Sequence, residues 1–442
     1  MAGQVLQSVK SGVQSWFAKA PKLEINEGLE ALPSETMAQL SQNVQALSVP
    51  MPYQSTIEGA LSRAFQEWQE QPEINNSLVI LGSPVDAIAP TLETILKSPT
   101  SPSQPPEAWR QAKIRFPLEP SRSADPLTIL DELRKALDRV NLEDLETLEQ
   151  EDAQVDPEDG AIAEAPTEPI KSPTIVVIPN LERYFLRCIQ GWESVEYVQN
   201  LVAHEPSYFW VLGCSHWTWA FLDRVCHISA YLEQVESLPQ LTGEELEQWL
   251  TPLMASAAAT INPSQAPDDS PPASETGSET DSGSTLDFGS DGYWNSLANL
   301  SSGISTTAAQ LCLQSLRMQA EDLANNQVDD TQEQTRRNAH QTEAVSDPSY
   351  RLRLKKPTLP SLIDLDSMDR YLLHALLIHG KMMRSHLALS LGEAEQTIRP
   401  RVQVLRREGV IIQQGVWLWV HPVHYPKLRN ELGNNNFLIG EA

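Results

Sequence analysis

Three short apolar runs, separated by amphipathic segments, dominate the first half of the chain. They span residues 77–83, 174–180 and 208–215, and each is nearly unbroken in hydrophobic residues before it ends in small or polar ones. Continuous apolar strands of this length are typical of a parallel sheet that helices cover on both faces. Residues 55–71 and 123–140 place their apolar side chains at helical spacing. The pattern predicts an α/β, doubly wound domain.

A different pattern, of short helices followed by a hairpin, occupies the last part of the chain. Residues 367–380 begin with polar side chains and end on glycine, and two further amphipathic segments, at 383–392 and 393–409, also end on glycine. Residues 410–420 place apolar side chains on both sides of a Gln-Gly pair, which is typical of a β-hairpin. The sequence therefore predicts a second, C-terminal domain.

Charge is distributed unevenly along the chain, whose net charge is −27 from 32 basic and 59 acidic residues. Residues 141–170 contain eleven acidic and no basic residues, and residues 255–291 contain seven acidic and none basic. Segments with so little apolar surface cannot offset the entropy of ordering, so we expect both to be disordered acidic inserts. Residues 350–430 reverse the balance, with thirteen basic and six acidic residues.

Composition also excludes several classes of protein. The four cysteines form no C-x-x-C pair, which argues against a disulfide framework or a common zinc site. Cys214, His216, Cys226 and His227 cluster in sequence, but their spacing matches no common metal site, so we predict no bound metal. No apolar run reaches the roughly 18 residues of a membrane span, and no signal peptide is evident. We expect a soluble, cytoplasmic protein.

The order of strands and loops resembles that of a P-loop ATPase of the AAA+/STAND group. The first strand leads into residues 82–89, where that group carries G-x-x-x-x-G-K-S/T, and the second leads into residues 179–187 at the place of its Walker B acidic residues. Residues 238–253 and 293–318 resemble the two parts of the group's helical lid. The resemblance covers about residues 50–320 and implies a P-loop-type sheet core with a lid.

The residues that this group uses to hold a nucleotide are replaced. The resemblance assigns the lysine and hydroxyl positions to Ile88 and Ala89 and the Walker B aspartate position to Pro179, leaving Gly82 and Ser83 as vestiges of the phosphate loop. Phosphoryl transfer depends on electrostatic stabilisation by the missing groups. We therefore predict no bound cofactor, no catalytic residue and no enzymatic activity.

Three arginines follow the second and third strands. Arg183, Arg187 and Arg224 lie where the resemblance places phosphate-sensing or inter-subunit arginines. The alternative is that they are ordinary surface or ion-paired arginines, and we favour that alternative.

The C-terminal pattern resembles a winged helix-turn-helix of the MarR-like type, over about residues 362–426. Ile398, Val402 and Leu405 share one face of the third helix, so the other side chains point outward. Arginine and glutamine can contact guanine and adenine edges in the major groove, and further cations can contact phosphates. The candidate DNA-binding residues are Gln396, Arg399, Arg401, Gln403, Arg406, Arg407, Arg384 and Lys381, with Arg351, Arg353, Lys355 and Lys356 as additional phosphate contacts.

Three features argue against DNA. The acidic inserts would repel a duplex unless they lie well away from it. The predicted hairpin tip carries no cation, and Pro400 lies inside the third helix. Three functions therefore stay open. The first is a non-hydrolysing scaffold that acts as a DNA-binding regulator or adaptor and binds protein partners or itself through its core. The second is an assembly factor whose winged helix docks on protein, and the third is an atypical AAA+ ATPase.

Together these observations predict five parts of the chain. They are an N-terminal amphipathic segment and linker (1–50), the ATPase-like domain (51–237), the lid (238–320), a linker (321–349) and the winged-helix domain (350–442).

Overall fold

The computed structural model describes residues 29–73, 75–97, 108–117, 128–139, 173–189, 191–261, 291–320 and 350–440. The helices of these residues are α1 Ser34–Gln45, α2 Met51–Glu70, α3 Ile88–Lys97, α4 128–139, α5 Glu193–His204, α6 His216–Cys226, α7 Gly243–Ile261, α8 Asp291–Ser301, α9 Ser305–Ser315, α10 Ser367–His379, α11 Arg384–Leu391, α12 Glu395–Arg407 and α13 Tyr425–Asn434. The strands are β1 Leu29–Ala31, β2 Ser77–Gly82, β3 Lys113–Arg115, β4 Thr174–Ile178, β5 Tyr208–Ser215, β6 Val235–Ser237, β7 Leu316–Ala320, β8 Tyr350–Leu354, β9 Met382–Met383, β10 Ile411–Gln414 and β11 Trp417–Val420.

A five-stranded parallel sheet of order β3-β4-β5-β2-β6 forms the centre of the α/β region. Every residue of β2, β4 and β5 is buried, as expected when helices cover both faces. The predicted α/β class and parallel sheet are confirmed, and a sheet of this kind fits a P-loop-type core. The two flanking strands, β3 and β6, are additional to the three that the apolar runs predict.

Alternate side chains of the strands pack into two separate cores. On one face, Ile80 and Val177 join the apolar stripes of α2 and α3. On the other face, Val79 and Val176 join the stripes of α4, α5 and α6. This two-sided burial places the carboxyl ends of β2, β4 and β5 at one edge of the sheet, where open parallel sheets usually bind ligands.

The C-terminal region contains three helices, a hairpin and a final helix. A capping box starts α10, because the Asp366 side chain accepts from the backbone of Asp369 and the Asp369 side chain accepts from that of Asp366. Gly392 adopts a positive φ of 68° where α11 ends. The hairpin β10-β11 gains a third strand, β9, in antiparallel pairing with β11.

The described residues form two compact units. The first is drawn from Met1–Ser48, Thr242–Gly303 and Ala308–Thr358, and the second from Val49–Leu241, Ile304–Thr307 and Leu359–Ala442. The first unit has an antiparallel sheet of order β1-β7-β8 with α1, α7 and α8. The second holds the parallel sheet and the C-terminal region.

Two boundaries differ from those that the sequence predicts. Residues 255–261 continue α7 instead of beginning the acidic insert, because Ala257 is completely buried and holds that turn in the core. Residues 350–358 lie in the first unit instead of beginning the C-terminal domain, because β8 pairs with β7.

Other predictions fall outside the described residues. They concern the N-terminal amphipathic residues 1–28, the acidic insert at 141–170, the remainder of the second insert at 262–290 and the linker at 321–349. Within the described residues, none of the helices has both the length and the apolar composition that crossing a membrane requires.

Candidate functional site

The loop after β2 occupies the place of a phosphate loop, and apolar packing closes it. A Cβ atom on Gly82 would lie 2.9 Å from Ile88 Cγ1, so the start of α3 packs directly against the end of the strand. Ile88, at the position that the resemblance assigns to lysine, is only 7% exposed. Ser83 is also buried, and its carbonyl accepts from the Asp86 backbone N–H at 3.0 Å. The lysine position is therefore part of the hydrophobic core.

A carboxylate within this loop is the main polar feature of the edge. Asp86 Oδ1 accepts from Ser305 Oγ at 2.9 Å, from Thr306 Oγ1 at 3.1 Å and from the Thr306 backbone N–H at 3.4 Å. Asp86 Oδ2 accepts from the Tyr53 hydroxyl at 3.4 Å. Burial raises the pKa of Asp86, and the bonds from Ser305 and Thr306 offset part of that increase. The carboxylate thus caps the first turn of α9 and places an acid where the resemblance would place a phosphate.

Residues at and near the predicted Walker B position contact the neighbouring strand of the sheet. Pro179, at the position that the resemblance assigns to the aspartate, packs so closely on the neighbouring strand that a Cβ atom on Gly213 would collide with its carbonyl oxygen. Glu182 is 6% exposed, and its Oε1 accepts from the Ser215 backbone N–H at the end of β5. The carboxylate nearest to this position therefore ties the ends of β4 and β5 together.

The C-terminal region packs on the same edge of the sheet, within the second unit. Trp217 Nε1 donates to the Tyr425 hydroxyl at 2.9 Å, and Thr218 Oγ1 donates to the Ile378 carbonyl. Trp217 belongs to the same buried cluster as the apolar residues of α10 and α13, and Val85 of the loop packs against that cluster. Protein side chains therefore fill the space beside the loop after β2.

Arg187, one of the three candidate sensor arginines, links the α/β region to α10. Its backbone N–H donates to His379 Nε2 at 3.2 Å, and its Nη1 lies 3.3 Å from His374 Nδ1. His374 Nε2 lies 2.8 Å from the Leu438 carbonyl, which can only accept, so Nε2 carries the proton and Nδ1 accepts from Arg187. Burial lowers the pKa of His374 to about 4, and the ring is neutral near pH 7.

The other two arginines differ in burial. Arg224 is exposed at the end of α6. Arg183 is half-buried, and burial lowers its pKa.

In the described residues, His, Cys, Asp and Glu side chains form no group of three placed to hold a metal ion.

The outer face of α12 is open to solvent. Ile398, Val402 and Leu405 are at most 3% exposed and form the inner face. Arg406 Nη1 donates to Gln413 Oε1 of the hairpin at 2.8 Å. The exposed residues among the candidates for DNA contact are Gln396, Arg399, Gln403, Arg406, Arg407 and Lys381.

Several predicted DNA contacts are engaged in ion pairs. Arg401 is paired with Asp366 and Asp369, both from the start of α10. Arg384 Nε lies 2.6 Å from Glu395 Oε1, and Arg407 Nε lies 3.3 Å from Glu408 Oε1. Lys381 Nζ lies 4.9 Å from the centre of the Trp419 ring.

The C-terminal region of the second unit carries less positive charge than the domain that the sequence predicts from residue 350 onwards. Residues 359–440 contain nine basic and seven acidic residues. Arg351, Arg353, Lys355 and Lys356 belong to the first unit, whereas α12 belongs to the second.

A shallow cleft of about 200 Å³ lies between the hairpin and the starts of α11 and α12. Its rim includes Val416, which is 60% exposed. The cleft is lined by Met383, Arg384, Ser385, Glu395, Gln413, Gly415, Val416 and Leu418.

No family model and no curated protein sequence matches the chain. Among solved structures, the Holliday junction branch migration motor RuvB of Thermotoga maritima is 13% identical, over 87% of this chain and 94% of that one, with a TM-score of 0.28. The ORC2 protein of Aeropyrum pernix, in complexes with ADPNP and ADP, is 10% identical over 85% and 92%, with a TM-score of 0.32. TM-scores below 0.5 do not establish a common overall fold. The α/β assignment therefore rests on the strand order and register described above.

Proposed function

We propose that this chain is a non-hydrolysing, ATPase-like scaffold whose C-terminal winged helix contacts double-stranded DNA through α12. The observation that carries the scaffold part is the carboxylate of Asp86, held by Ser305, Thr306 and Tyr53 in the loop after β2. The exposed polar face of α12 supports the DNA part.

Electrostatics argues against a nucleotide at this edge. A bound triphosphate would place its negative charge beside the Asp86 carboxylate, with the buried side chain of Ile88 at the lysine position. Like charges at such a site, with little water between them, repel strongly. The Asp86 carboxylate already accepts the hydrogen bonds from the first turn of α9 that an anion would otherwise take.

The packing of the C-terminal region keeps its DNA-facing side available. Contacts with the α/β region involve α10 and α13, through residues such as His374 and Tyr425. The exposed side chains of α12 include Gln396, Arg399 and Gln403. These are the residue types that make bidentate contacts with adenine and guanine edges.

Two titrations of the full-length protein test this proposal. In the first, ATP with Mg²⁺ is added and heat release and thermal unfolding are followed. We expect neither binding heat nor a shift in Tm, and saturable binding at micromolar ATP would overturn the scaffold part.

In the second titration, binding to a labelled DNA duplex is measured by fluorescence anisotropy at several salt concentrations. The variant Arg399→Gln/Arg406→Gln should weaken binding and lower the dependence of log K on log salt by roughly two. The control, Arg63→Gln/Arg224→Gln, removes the same charge from exposed positions outside α12. Equal losses in both variants would show that only overall charge matters.

The hairpin favours a second candidate, an adaptor that docks on protein. The exposed Val416 borders the cleft between the hairpin and α12, and burying this apolar side chain against a partner would be favourable. The small excess of basic residues in 359–440 is also easier to reconcile with this role. If no duplex binds at low salt, the function as an adaptor that docks on protein is favoured.

A further inference from the structure

In the antiparallel sheet of the first unit, the paired strands β7 and β8 have one apolar face and one basic face. Leu316, Met318 and Leu352 are between 1% and 9% exposed and form the inner face. Side chains alternate between the two faces of a strand. Residues at the intervening positions of β7 and β8 therefore belong to the other face, which we call the outer face of the sheet.

Arginines face each other on that outer face. Arg317 of β7 and Arg353 of β8 occupy directly opposite register positions, and Lys355 follows two residues after Arg353. Arg353 Nε donates to Gln319 Oε1 at 3.1 Å, which orients its guanidinium. Arg351 occupies the register position opposite Gln319.

This arrangement concentrates positive charge in a chain that is strongly acidic. Residues 350–358 contain four basic and no acidic residues, against a net charge of −27 for the whole chain. Like charges at directly opposite positions of an antiparallel pair are destabilising. Arg317 donates to the Gln314 and Leu316 carbonyls, and burial lowers its pKa.

The character of the outer face indicates which anion it suits. Protein interfaces usually combine arginine with large aromatic anchors that exclude water from the contact. The large hydrophobic residues that are exposed in the described part of the chain all lie in the second unit. Cations on alternate residues of a strand repeat at about 6.6–6.8 Å, close to the spacing of successive phosphates along one nucleic-acid strand. We propose that the outer face of the β1-β7-β8 sheet binds the phosphate backbone of a nucleic acid, without regard to sequence.

This surface is separate from α12. It belongs to the first unit, whereas Arg399 and Arg406 belong to the second, so each surface can be removed without altering the other. Backbone contacts supply affinity and salt dependence, while base contacts supply sequence preference. Loss of the α12 arginines should therefore reduce sequence preference together with the salt slope, whereas loss of the sheet cations should reduce affinity and slope equally for every sequence.

The test uses full-length protein and labelled DNA of mixed sequence, both single-stranded and duplex, over a salt titration. The variant Arg353→Gln/Lys355→Gln should weaken binding to every sequence by the same factor. It should also lower the slope of log K against log salt by roughly 1.4–1.8, because each of the two lost phosphate contacts removes about 0.7–0.9. The charge-preserving variant Arg353→Lys should keep most of the slope.

Two controls separate this result from simpler explanations. The variant Arg63→Gln/Arg224→Gln removes an equal charge from exposed positions of the second unit and should leave the slope nearly unchanged. Circular dichroism and the urea midpoint establish that the sheet variant is folded. With Arg399→Gln/Arg406→Gln, the slope that arises from the sheet should persist even if the α12 proposal fails.

Two outcomes would overturn the proposal. If the sheet variant binds DNA with an unchanged slope, the cations serve instead to keep the edge strand β8 from pairing with other chains. If poly-glutamate displaces DNA as effectively as unlabelled DNA does, the outer face recognises acidic polypeptide and not the phosphate backbone.

Discussion

The loop after β2 and the outer face of α12 use their polar side chains in opposite ways. In the loop, Asp86 is surrounded by donors from Tyr53, Ser305 and Thr306. On α12, Arg399 and Gln403 extend into solvent. Groups whose hydrogen bonds are satisfied internally stabilise a fold, whereas groups left in solvent are available to a partner. The comparison separates the part of the molecule that holds the structure together from the part that can recognise something else.

The largest effect should come from Trp217, which joins the α/β region to the C-terminal region. It is 1% exposed and donates to the Tyr425 hydroxyl. The variant Trp217→Ala should lower the free energy of unfolding by about 3–5 kcal/mol, measured by urea denaturation, because it leaves a large cavity. The control Tyr425→Phe keeps the packing and should cost only about 0.5–1.5 kcal/mol. A loss below that of the control would mean that the edge is loosely packed.

Acid should weaken the packing of the C-terminal region on the α/β region, because His374 becomes protonated. The pKa of His374 is lowered from 6.5 to about 4 in the folded chain, so the unfolded chain takes up the proton first as the pH falls. The stability contributed by the neutral ring is present above pH 6.5 and is lost towards pH 4, amounting to about 2–3 kcal/mol.

The pKa values of His216 and His424 are also lowered to about 4, which adds to the loss. Burial raises the pKa of Asp86 and Asp369, which opposes it. The measurement is the urea midpoint between pH 7 and pH 4.5 for His374→Asn, with the exposed His204→Asn as control. We expect His374→Asn alone to flatten the profile, and identical profiles would contradict the assignment.

Removing the carboxylate of the loop should have an intermediate effect. Asp86→Ala leaves the donors of Ser305, Thr306 and Tyr53 without this acceptor and should cost about 1–3 kcal/mol, whereas Asp86→Asn keeps one acceptor oxygen and should cost less. Because helix N-termini bind anions, inorganic phosphate should raise the urea midpoint of Asp86→Ala more than that of the wild type. If phosphate stabilises both equally, the loop is not the site of its action.

The smallest changes should come from single substitutions of two arginines of α12, which should differ in their effect on DNA affinity. Arg401 is paired with Asp366 and Asp369, so Arg401→Gln should change stability by less than about 1 kcal/mol and leave DNA affinity nearly unchanged. Arg399→Gln should weaken duplex binding by about tenfold, since a specific base contact contributes about 1–3 kcal/mol. Equal affinity losses would show that the ion pairs do not withdraw Arg401 from the DNA surface.

In the parallel sheet, the sequence predicts the strands whose burial is continuous, and not the two edge strands. β2, β4 and β5 are buried throughout and stand out as apolar runs. β3 has three half-buried residues and β6 is mostly exposed, so neither has a hydrophobic signature. β7 directly follows α9, and its LRMQA sequence continues the amphipathic pattern of a helix. Its pairing with β1 and β8, which are distant in sequence, decides its conformation.

Side-chain partners were less predictable than exposure. The positions of Ile398, Val402 and Leu405 identify the outward residues of α12 correctly, because helical periodicity alone determines them. The pairing of Arg401 with Asp366 depends on how two helices pack. The role of Asp86 depends on Ser305, which is 219 positions away. An acidic residue inside a phosphate-type loop was the only local signal.

The two units interleave along the chain, and this has a consequence for folding. Each unit is assembled from three separate stretches of sequence, and the Trp217–Tyr425 bond joins residues 208 positions apart. Contacts so distant in sequence form slowly, since long loops must close first. During synthesis, the apolar edge of the parallel sheet stays uncovered until α13 has emerged from the ribosome. We therefore expect nascent chains of this protein to depend on chaperones until their last helices are made.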